Sequence, residues 1–223
     1  MMRKREVAKR VFAYELVRST YQIQEEDSPK YILTPTGERA NRIFSVAVLL
    51  DKEEIGADTN FWRLRLTDPT GTFYATVGRF QPEALEVVSE INVPELVAVV
   101  GKTRVFEGTS RKLVSLRPES IAVVDLAVRD YWVLETAKRT LERIEAMEKR
   151  EGEDVELAWQ IYNPDLNEYR EMVKKALLTV KEDVEVMEKI EKAEEEGEEE
   201  EEFDFTEFEF EEEEFDLTDL LED

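Results

Sequence analysis

The segment Trp62–Thr76 reads WRLRLTDPTGTFYAT, and it decides how the chain folds. Its first half alternates between apolar and charged residues, which is typical of a strand with one buried face. The turn sequence DPTG (68–71) follows, and an aromatic segment then resumes the alternation. Two alternating segments joined by such a turn predict a β-hairpin.

Neighbouring residues of a strand point to opposite sides, so the hairpin sorts its side chains onto two faces. One face is apolar and is predicted to line the interior of a barrel: Trp62, Leu64, Leu66, Phe73, Ala75 and Val77. The other face is predicted to point outward: Phe61, Arg63, Arg65, Tyr74 and Thr76. Two arginines are therefore expected on the outside of a rigid strand, with aromatic side chains beside them.

Further strands are predicted on both sides of the hairpin. RIFSVAVLL (42–50) precedes it as a strand, and the polar segment DKEEIGADTN (51–60) is interpreted as a loop. The segment QPEALEVVSEI follows as a helix with Pro82 in its first turn. Two strands, ELVAVVGKT and KLVSLRPESIAVV, are joined by the predicted loop RVFEGTSR (104–111). The order β-β-β-α-β-β favours a five-stranded OB-fold barrel over another small barrel or a sandwich.

The flanking segments are predicted to be mostly helical. Residues 3–18 have the spacing of a short basic amphipathic helix, and YILTPTGE (31–38) is interpreted as an extended arm with a turn. A long helix follows the barrel and is expected to end at Gly152, and two more helices meet at the sequence NPD (163–165). The predicted fold is mainly β plus α, with five parts: an N-terminal helix and arm (1–41), an OB-fold (42–125), an assembly helix (126–152), a helical extension (153–192) and an acidic disordered tail (193–223).

The composition excludes several classes of chemistry. The 223 residues include neither Cys nor His, which excludes thiol catalysis, disulfides, Cys/His zinc sites and Ser-His triads. No phosphate-binding glycine loop or nucleophile elbow is present. We therefore expect a protein that is not an enzyme and has no cofactor or metal. With no signal peptide and no long apolar run, we expect a soluble, cytoplasmic and nucleoid-associated protein.

The net charge of −24 is distributed unevenly. Residues 1–130 carry as many basic as acidic side chains, whereas residues 191–223 contain one Lys and 20 Asp or Glu. The acidity of the tail therefore does not exclude an anionic ligand on the barrel.

Arginine and aromatic side chains on one surface match the chemistry of single-stranded nucleic acid. Phosphates need fixed positive charge, and unpaired bases need flat rings on which to stack. The predicted DNA-binding residues on this surface are Arg63, Arg65, Tyr74, Arg79, Phe80, Lys102, Arg104, Phe106, Arg111 and Lys112. The competing interpretation is that Arg63 and Arg65 are ordinary surface charges that pair with nearby carboxylates such as Glu53.

The helix after the barrel carries an apolar stripe with two interpretations. Such a stripe either packs on the barrel of the same chain or forms a seam with helices of other subunits. For the second case the predicted interface residues are Tyr131, Trp132, Leu134, Leu141 and Ile144.

The tail alternates acidic residues with Phe and Leu, a pattern found in disordered interaction segments. It is interpreted as a solubilising appendage, as a recruiter of partner proteins, or as a competitor of DNA.

Several separated blocks of the sequence resemble the archaeal replication protein A-associated family. They are REVAKRVFAYEL, YILTPTGERANRIF, FWRLRLTDPTGTFYATVGRFQPEA, VAVVGKTRVFE and SLRPESIAVVD, within residues 5–190. The resemblance implies an OB-fold subunit of an archaeal replication protein A complex, acting on single-stranded DNA in replication, repair and recombination. It places the DNA-facing block on Trp62, Arg63, Arg65, Phe73 and Tyr74, and it implies that the helix after the barrel assembles the subunits.

The expected partners are therefore single-stranded DNA, the other replication protein A subunits and, through the tail, replication or repair enzymes. An alternative hypothesis is an assembly scaffold whose barrel does not itself hold DNA.

Overall fold

The structure of the chain is a computed structural model that describes residues 6–24, 29–56, 60–108 and 112–195. Residues 1–183 form one compact unit, and residues 184–223 form a second, of which the end of the last helix is described. The strands are β1 (Lys9–Arg10), β2 (Tyr21–Ile23), β3 (Tyr31–Leu33), β4 (Arg39–Ala40), β5 (Arg42–Glu54), β6 (Trp62–Asp68), β7 (Gly71–Val77), β8 (Glu95–Glu107) and β9 (Lys112–Val123). The helices are α1 (Ala13–Leu16), α2 (Pro82–Glu90), α3 (Leu126–Lys149), α4 (Glu153–Tyr162) and α5 (Leu166–Glu195).

Five strands close into a barrel, which confirms the predicted OB-fold class. The order around the barrel is β5-β6-β7-β9-β8, and β8 pairs back onto β5. β5 can serve both neighbours because it is 13 residues long: residues 42–49 pair with β8, and residues 48–54 pair with β6. A register irregularity between Leu49 and Asp51 bends β5 between the two pairings, as a β-bulge does.

The hairpin has the two faces predicted from its alternation. Leu64, Leu66, Ala75 and Val77 are each 0% exposed inside the barrel. Phe73 is 1% exposed and lies among them. These side chains form one apolar core together with residues of β5, β8, β9 and α2. The helix α2 begins at Pro82, as predicted, and buries Ala84 and Val88 against this core.

Two segments predicted as loops extend the barrel strands instead. β5 continues through Asp51, Lys52, Glu53 and Glu54, although these residues are polar. β8 likewise continues to Glu107, into the segment predicted as a loop, whereas β9 begins at Lys112 as predicted. The polar side chains of an exposed strand end face water, while backbone pairing with the neighbouring strand keeps the segment extended.

The predicted N-terminal helix over residues 3–18 is wrong in most of its described part. Lys9 and Arg10 form β1, which pairs in parallel with Ile43 and Phe44 of β5, and only Ala13–Leu16 form a helix. Short helices are only marginally stable by themselves, so pairing with the barrel overrides the amphipathic pattern. The helix α1 is held at its start by the hairpin turn, because Asp68 Oδ2 accepts from Ala13 N at 2.6 Å.

A second apolar core lies between the outer side of β5 and the C-terminal helices. Trp132 of α3 is 1% exposed; its ring packs edge-on against Phe12 and its Nε1 donates to the carbonyl of Phe44 at 3.0 Å. The small antiparallel sheet β2-β3-β4 and the helices α4 and α5 complete this core. The long helix α3 ends with Arg150 in the left-handed conformation (φ 54°), so Gly152 is not its terminator.

A buried ion pair ties α1 to α3. Arg143 Nη2 lies 2.8 Å from Glu15 Oε2, with the two side chains 10% and 0% exposed. Thr36 bridges them: its hydroxyl donates to Glu15 and accepts from Arg143 Nε at 2.7 Å. Arg143 also donates to Thr140 Oγ1 at 3.1 Å.

No helix in the described ranges combines the length and the hydrophobicity that a bilayer crossing requires.

Candidate nucleic-acid interface

A row of outward side chains crosses the barrel on five neighbouring strands. Directly paired residues of adjacent strands share a face, so the register places Asp51, Arg65, Tyr74, Ser115 and Arg104 side by side. A second row on the same face, two residues away along each strand, runs from Glu53 to Arg63 and Thr76. The predicted outward placement of Arg63, Arg65 and Tyr74 is therefore what the structure shows.

All residues of these rows except Arg104 line an open groove of about 800 Å³ on the outside of the barrel. Its lining residues are Val17, Asp51, Glu53, Arg63, Arg65, Thr72, Tyr74, Thr76, Phe106, Lys112, Leu113, Val114 and Ser115. Five of the predicted DNA-binding residues are thus gathered in one place: Arg63, Arg65, Tyr74, Phe106 and Lys112.

Aromatic and apolar side chains are exposed within the groove. Tyr74 is 48% exposed, and Phe106 and Leu113, which are directly paired on β8 and β9, are 50% and 46% exposed. Rings held on strands with one side open to solvent are the arrangement that base stacking uses.

The two groove arginines are paired with carboxylates. Arg65 donates through Nε to Asp51 Oδ2 at 2.7 Å, and its Nη2 lies 2.6 Å from the same oxygen. Arg63 donates through Nη2 to Glu53. Both arginines therefore belong to surface ion pairs in the structure, as the competing interpretation predicted. All four side chains are about half exposed, so the pairs remain open to exchange.

The basic surface continues from the groove along β8 and β9. Arg104 makes no ion pair within the described residues, and it faces the same side as Lys102. Lys102 Nζ lies 3.9 Å from Glu119 Oε1, and Lys112 Nζ lies 3.6 Å from Glu107 Oε1. Burial and the neighbouring charge of Arg104 lower the pKa of Arg117, while Glu119 opposes this shift. Arg104 and Phe106, which were predicted in the loop between the last two strands, therefore lie on β8 between Lys102 and Glu107.

Two predicted DNA contacts are wrong. Phe73 points into the barrel and is 1% exposed, so its ring cannot reach a base. Trp62 also lies on the inner side; its partly buried ring packs against the barrel core, with Lys52 Nζ 5.2 Å from its centre. Both residues follow the alternation that makes the barrel, which places them opposite to Arg63 and Tyr74.

Arg79 and Phe80 lie outside the groove, after the end of β7. The Arg79 guanidinium carbon is 4.9 Å from the centre of the Phe80 ring, and Phe80 is 77% exposed. The predicted contact Arg111 falls outside the described residues.

The predicted interface stripe on α3 separates into two sets. Trp132 and Ile144 are each 1% exposed in the second core, so the prediction that they contact other subunits is wrong. Tyr131, Leu134 and Leu141 are 62%, 49% and 43% exposed and leave an apolar stripe on the solvent side of the helix.

Sequence reasoning missed several lining residues for an identifiable reason. Asp51 was assigned to a loop, and Leu113 and Ser115 were not considered as lining residues. The alternation of KLVSL (112–116) does contain the signal, since Val114 and Leu116 are buried in the barrel and their neighbours must face the groove.

Within the described residues, no group of three or more carboxylates is arranged to hold a metal ion.

No family model and no curated protein matches the chain. Among solved structures it is similar to a chain of a replication protein A heterotrimer bound to ssDNA, with 18% identity and a TM-score of 0.41 over 60% of this chain and 97% of that one. It is also similar to the mitochondrial single-stranded DNA-binding protein Rim1 of S. cerevisiae, with 17% identity and a TM-score of 0.31 over 38% and 94% of the two chains. A small single-stranded DNA-binding protein from Streptomyces coelicolor gives 23% identity and a TM-score of 0.30 over 39% and 94%. At TM-scores this low the likenesses carry no conclusion about function.

Proposed function

We propose that this chain binds single-stranded DNA in the groove on the outer face of β5, β6, β7 and β9. The observation that carries the proposal is the side-by-side placement of Arg65, Tyr74 and Arg104 on paired strands, with Phe106 at the same groove. Guanidinium groups can bind phosphates with two hydrogen bonds, and exposed rings can stack on unpaired bases.

We propose more specifically that the chain is a non-catalytic subunit of an archaeal replication protein A complex. It protects single strands in replication, repair and recombination, in the cytoplasm near the nucleoid. The resemblance of the separated sequence blocks supports this form, and the exposed stripe on α3 supplies a surface for other subunits. The acidic tail would recruit replication or repair enzymes, since its alternation of Phe with Asp and Glu is typical of interaction segments.

Fluorescence anisotropy with a labelled oligothymidine tests DNA binding by the full chain. Tyr74→Ala should weaken binding by the ~1–3 kcal/mol per base that stacking supplies. Arg63→Ala/Arg65→Ala should weaken binding at low salt and reduce the log–log salt slope by about 1.4, since each phosphate contributes about 0.7.

A charge-matched control is Arg139→Ala/Arg170→Ala, which removes two exposed arginines of α3 and α5 away from the groove. If the groove and control variants lose the same affinity, the binding is not in the groove. If the wild-type chain shows no salt-dependent binding, the proposal fails for the isolated chain.

A second candidate function is an assembly scaffold, favoured by the pairing of both groove arginines with carboxylates. In that case a sister subunit holds the DNA, and this chain contributes Tyr131, Leu134 and Leu141 to the interface. A variant with all three changed to Ala should fold normally but lose co-purification with coexpressed sister subunits. Changing Glu142, Glu145 and Glu148 to Ala alters the same helix without removing apolar area, and retention of the subunits by both variants would exclude this interface.

A further inference from the structure

The groove contains its own anions beside the arginines proposed to hold phosphate. Asp51 lies opposite Arg65 and Glu53 lies opposite Arg63 in the antiparallel register of β5 and β6. From this arrangement we infer that Asp51 and Glu53 act as built-in competitors of the DNA backbone: they lower the affinity of the groove for phosphate and make binding depend on base stacking. The inference rests on the proposed function and concerns the selectivity of the same groove.

The competition is fixed by the backbone rather than by chance contact of flexible side chains. Directly opposed residues of paired strands have Cβ atoms about 4.5–5.5 Å apart, so each carboxylate stays beside its arginine. Asp51 Oδ2 accepts from Nε of Arg65 at 2.7 Å and lies 2.6 Å from its Nη2, so the carboxylate occupies one edge of the guanidinium group. A phosphate that approaches this edge must displace the carboxylate.

The pairs are weak enough to exchange. Arg63 and Glu53 are 53% and 59% exposed, and Arg65 and Asp51 are 44% and 50% exposed. Ion pairs at such sites are typically worth about 0.2–1 kcal/mol. Phosphate can therefore take the arginines, but the displaced carboxylates remain in the groove and repel it.

The charge balance of the groove supports the same conclusion. Its lining contains the cations Arg63, Arg65 and Lys112 and the carboxylates Asp51 and Glu53. A polyanion without bases gains little binding free energy from a lining in which the carboxylates nearly balance the cations. A strand with unpaired bases gains additionally from Tyr74 and Phe106, so the groove favours ligands that can stack.

The test compares the full chain with Asp51→Asn/Glu53→Gln, in which both side chains keep their shape and lose their charge. Binding of labelled oligothymidine at low salt should tighten by about 2- to 30-fold, the factor that two exposed ion pairs correspond to. The salt slope should steepen as well, because Asp51 and Glu53 no longer offset part of the phosphate neutralisation by Arg63 and Arg65. Inorganic polyphosphate, which cannot stack, should compete more strongly for the variant than for the wild type.

The control Glu83→Gln/Glu90→Gln makes the same change of net charge on exposed positions of α2. Tighter binding by the groove variant but not by the control supports the inference. If wild type, groove variant and control bind alike, or if both variants tighten equally, the inference is overturned while the proposed function stands. If neither the wild type nor the groove variant binds DNA, the proposed function fails and the inference falls with it.

Discussion

Two sets of arginine–carboxylate pairs in this chain have similar geometry and opposite surroundings. Arg143 and Glu15 are almost fully buried between α1 and α3, whereas Arg65 and Asp51 are half exposed in the groove. The buried pair holds two elements together, and the exposed pair is available to a ligand. Solvent exposure, rather than the distance between the charges, therefore decides which role such a pair has.

The partners of the two pairs differ in the same way. Glu15 and Arg143 have further hydrogen bonds to Thr36, and Arg143 has another to Thr140, so the pair has buried polar neighbours on several sides. The side chains of Arg65 and Asp51 have no further hydrogen-bond partner within the described residues. A ligand can therefore take the place of the Asp51 carboxylate at Arg65 without leaving a buried polar group unsatisfied. Displacing Glu15 from Arg143 would leave buried polar groups without partners.

The largest expected effect is on the buried pair. Arg143→Leu leaves the carboxylate of Glu15 buried without its cation, which should lower the free energy of unfolding by about 3–5 kcal/mol. Urea denaturation followed by circular dichroism measures the change. Arg139→Leu on the same helix, whose side chain is 57% exposed, should change the stability by less than about 1 kcal/mol. Equal losses in the two variants would contradict the role assigned to burial.

Asp68 is a second buried carboxylate to compare, because it is held by backbone and hydroxyl donors and pairs with no cation among the described residues. Its Oδ1 accepts from Thr70 N at 2.7 Å and Thr70 Oγ1 at 2.6 Å, and its Oδ2 accepts from Ala13 N at 2.6 Å. Asp68→Asn replaces one acceptor by a donor and should cost about 1–3 kcal/mol in urea denaturation. Asp125→Asn is the matched control, since Asn caps a helix as well as Asp does and should leave α3 stable.

The same residue gives a pH dependence. Burial raises the pKa of Asp68 above its ordinary value of 3.8, outweighing the hydrogen bonds from Thr70, Ala13 and Gly71, which lower it. The folded chain then holds the proton more tightly than the unfolded chain, so the stability from this group is present below 3.8 and is lost as the pH rises through the folded value. The unfolding free energy of the wild type minus that of Asp68→Asn should therefore fall as the pH rises above 3.8 and become constant above the raised pKa. A difference that rises over this range would contradict the assigned shift.

The smallest expected effect is on the exposed pairs. Arg63→Ala/Arg65→Ala should change the free energy of unfolding by less than about 2 kcal/mol, because each exposed pair contributes at most about 1 kcal/mol. Thermal unfolding at low and high salt measures it, and high salt should reduce the difference further. A loss as large as that of Arg143→Leu would show that the groove arginines are structural, and their assignment to a ligand would fail.

The barrel and the outward placement of Arg63, Arg65 and Tyr74 could be predicted from the sequence, because a strand has a period of two. Because Leu64 and Leu66 point into the barrel, the alternate residues Arg63 and Arg65 must point outward. The helices that follow the barrel were predictable in position but not in orientation. A helix with apolar residues on several sides does not say which side meets the core, and Trp132 turned inward while Tyr131 remained exposed.

Local alternation and turn residues are therefore enough to predict the five barrel strands, in their order along the chain, and the two faces of the hairpin. The tertiary structure alone decided that the polar residues 51–54 continue β5 and stand opposite the arginines of β6. It also decided that residues 9–10 form a strand rather than a helix. In both cases the deciding interaction is backbone pairing with another strand, and no local pattern of side chains records that pairing.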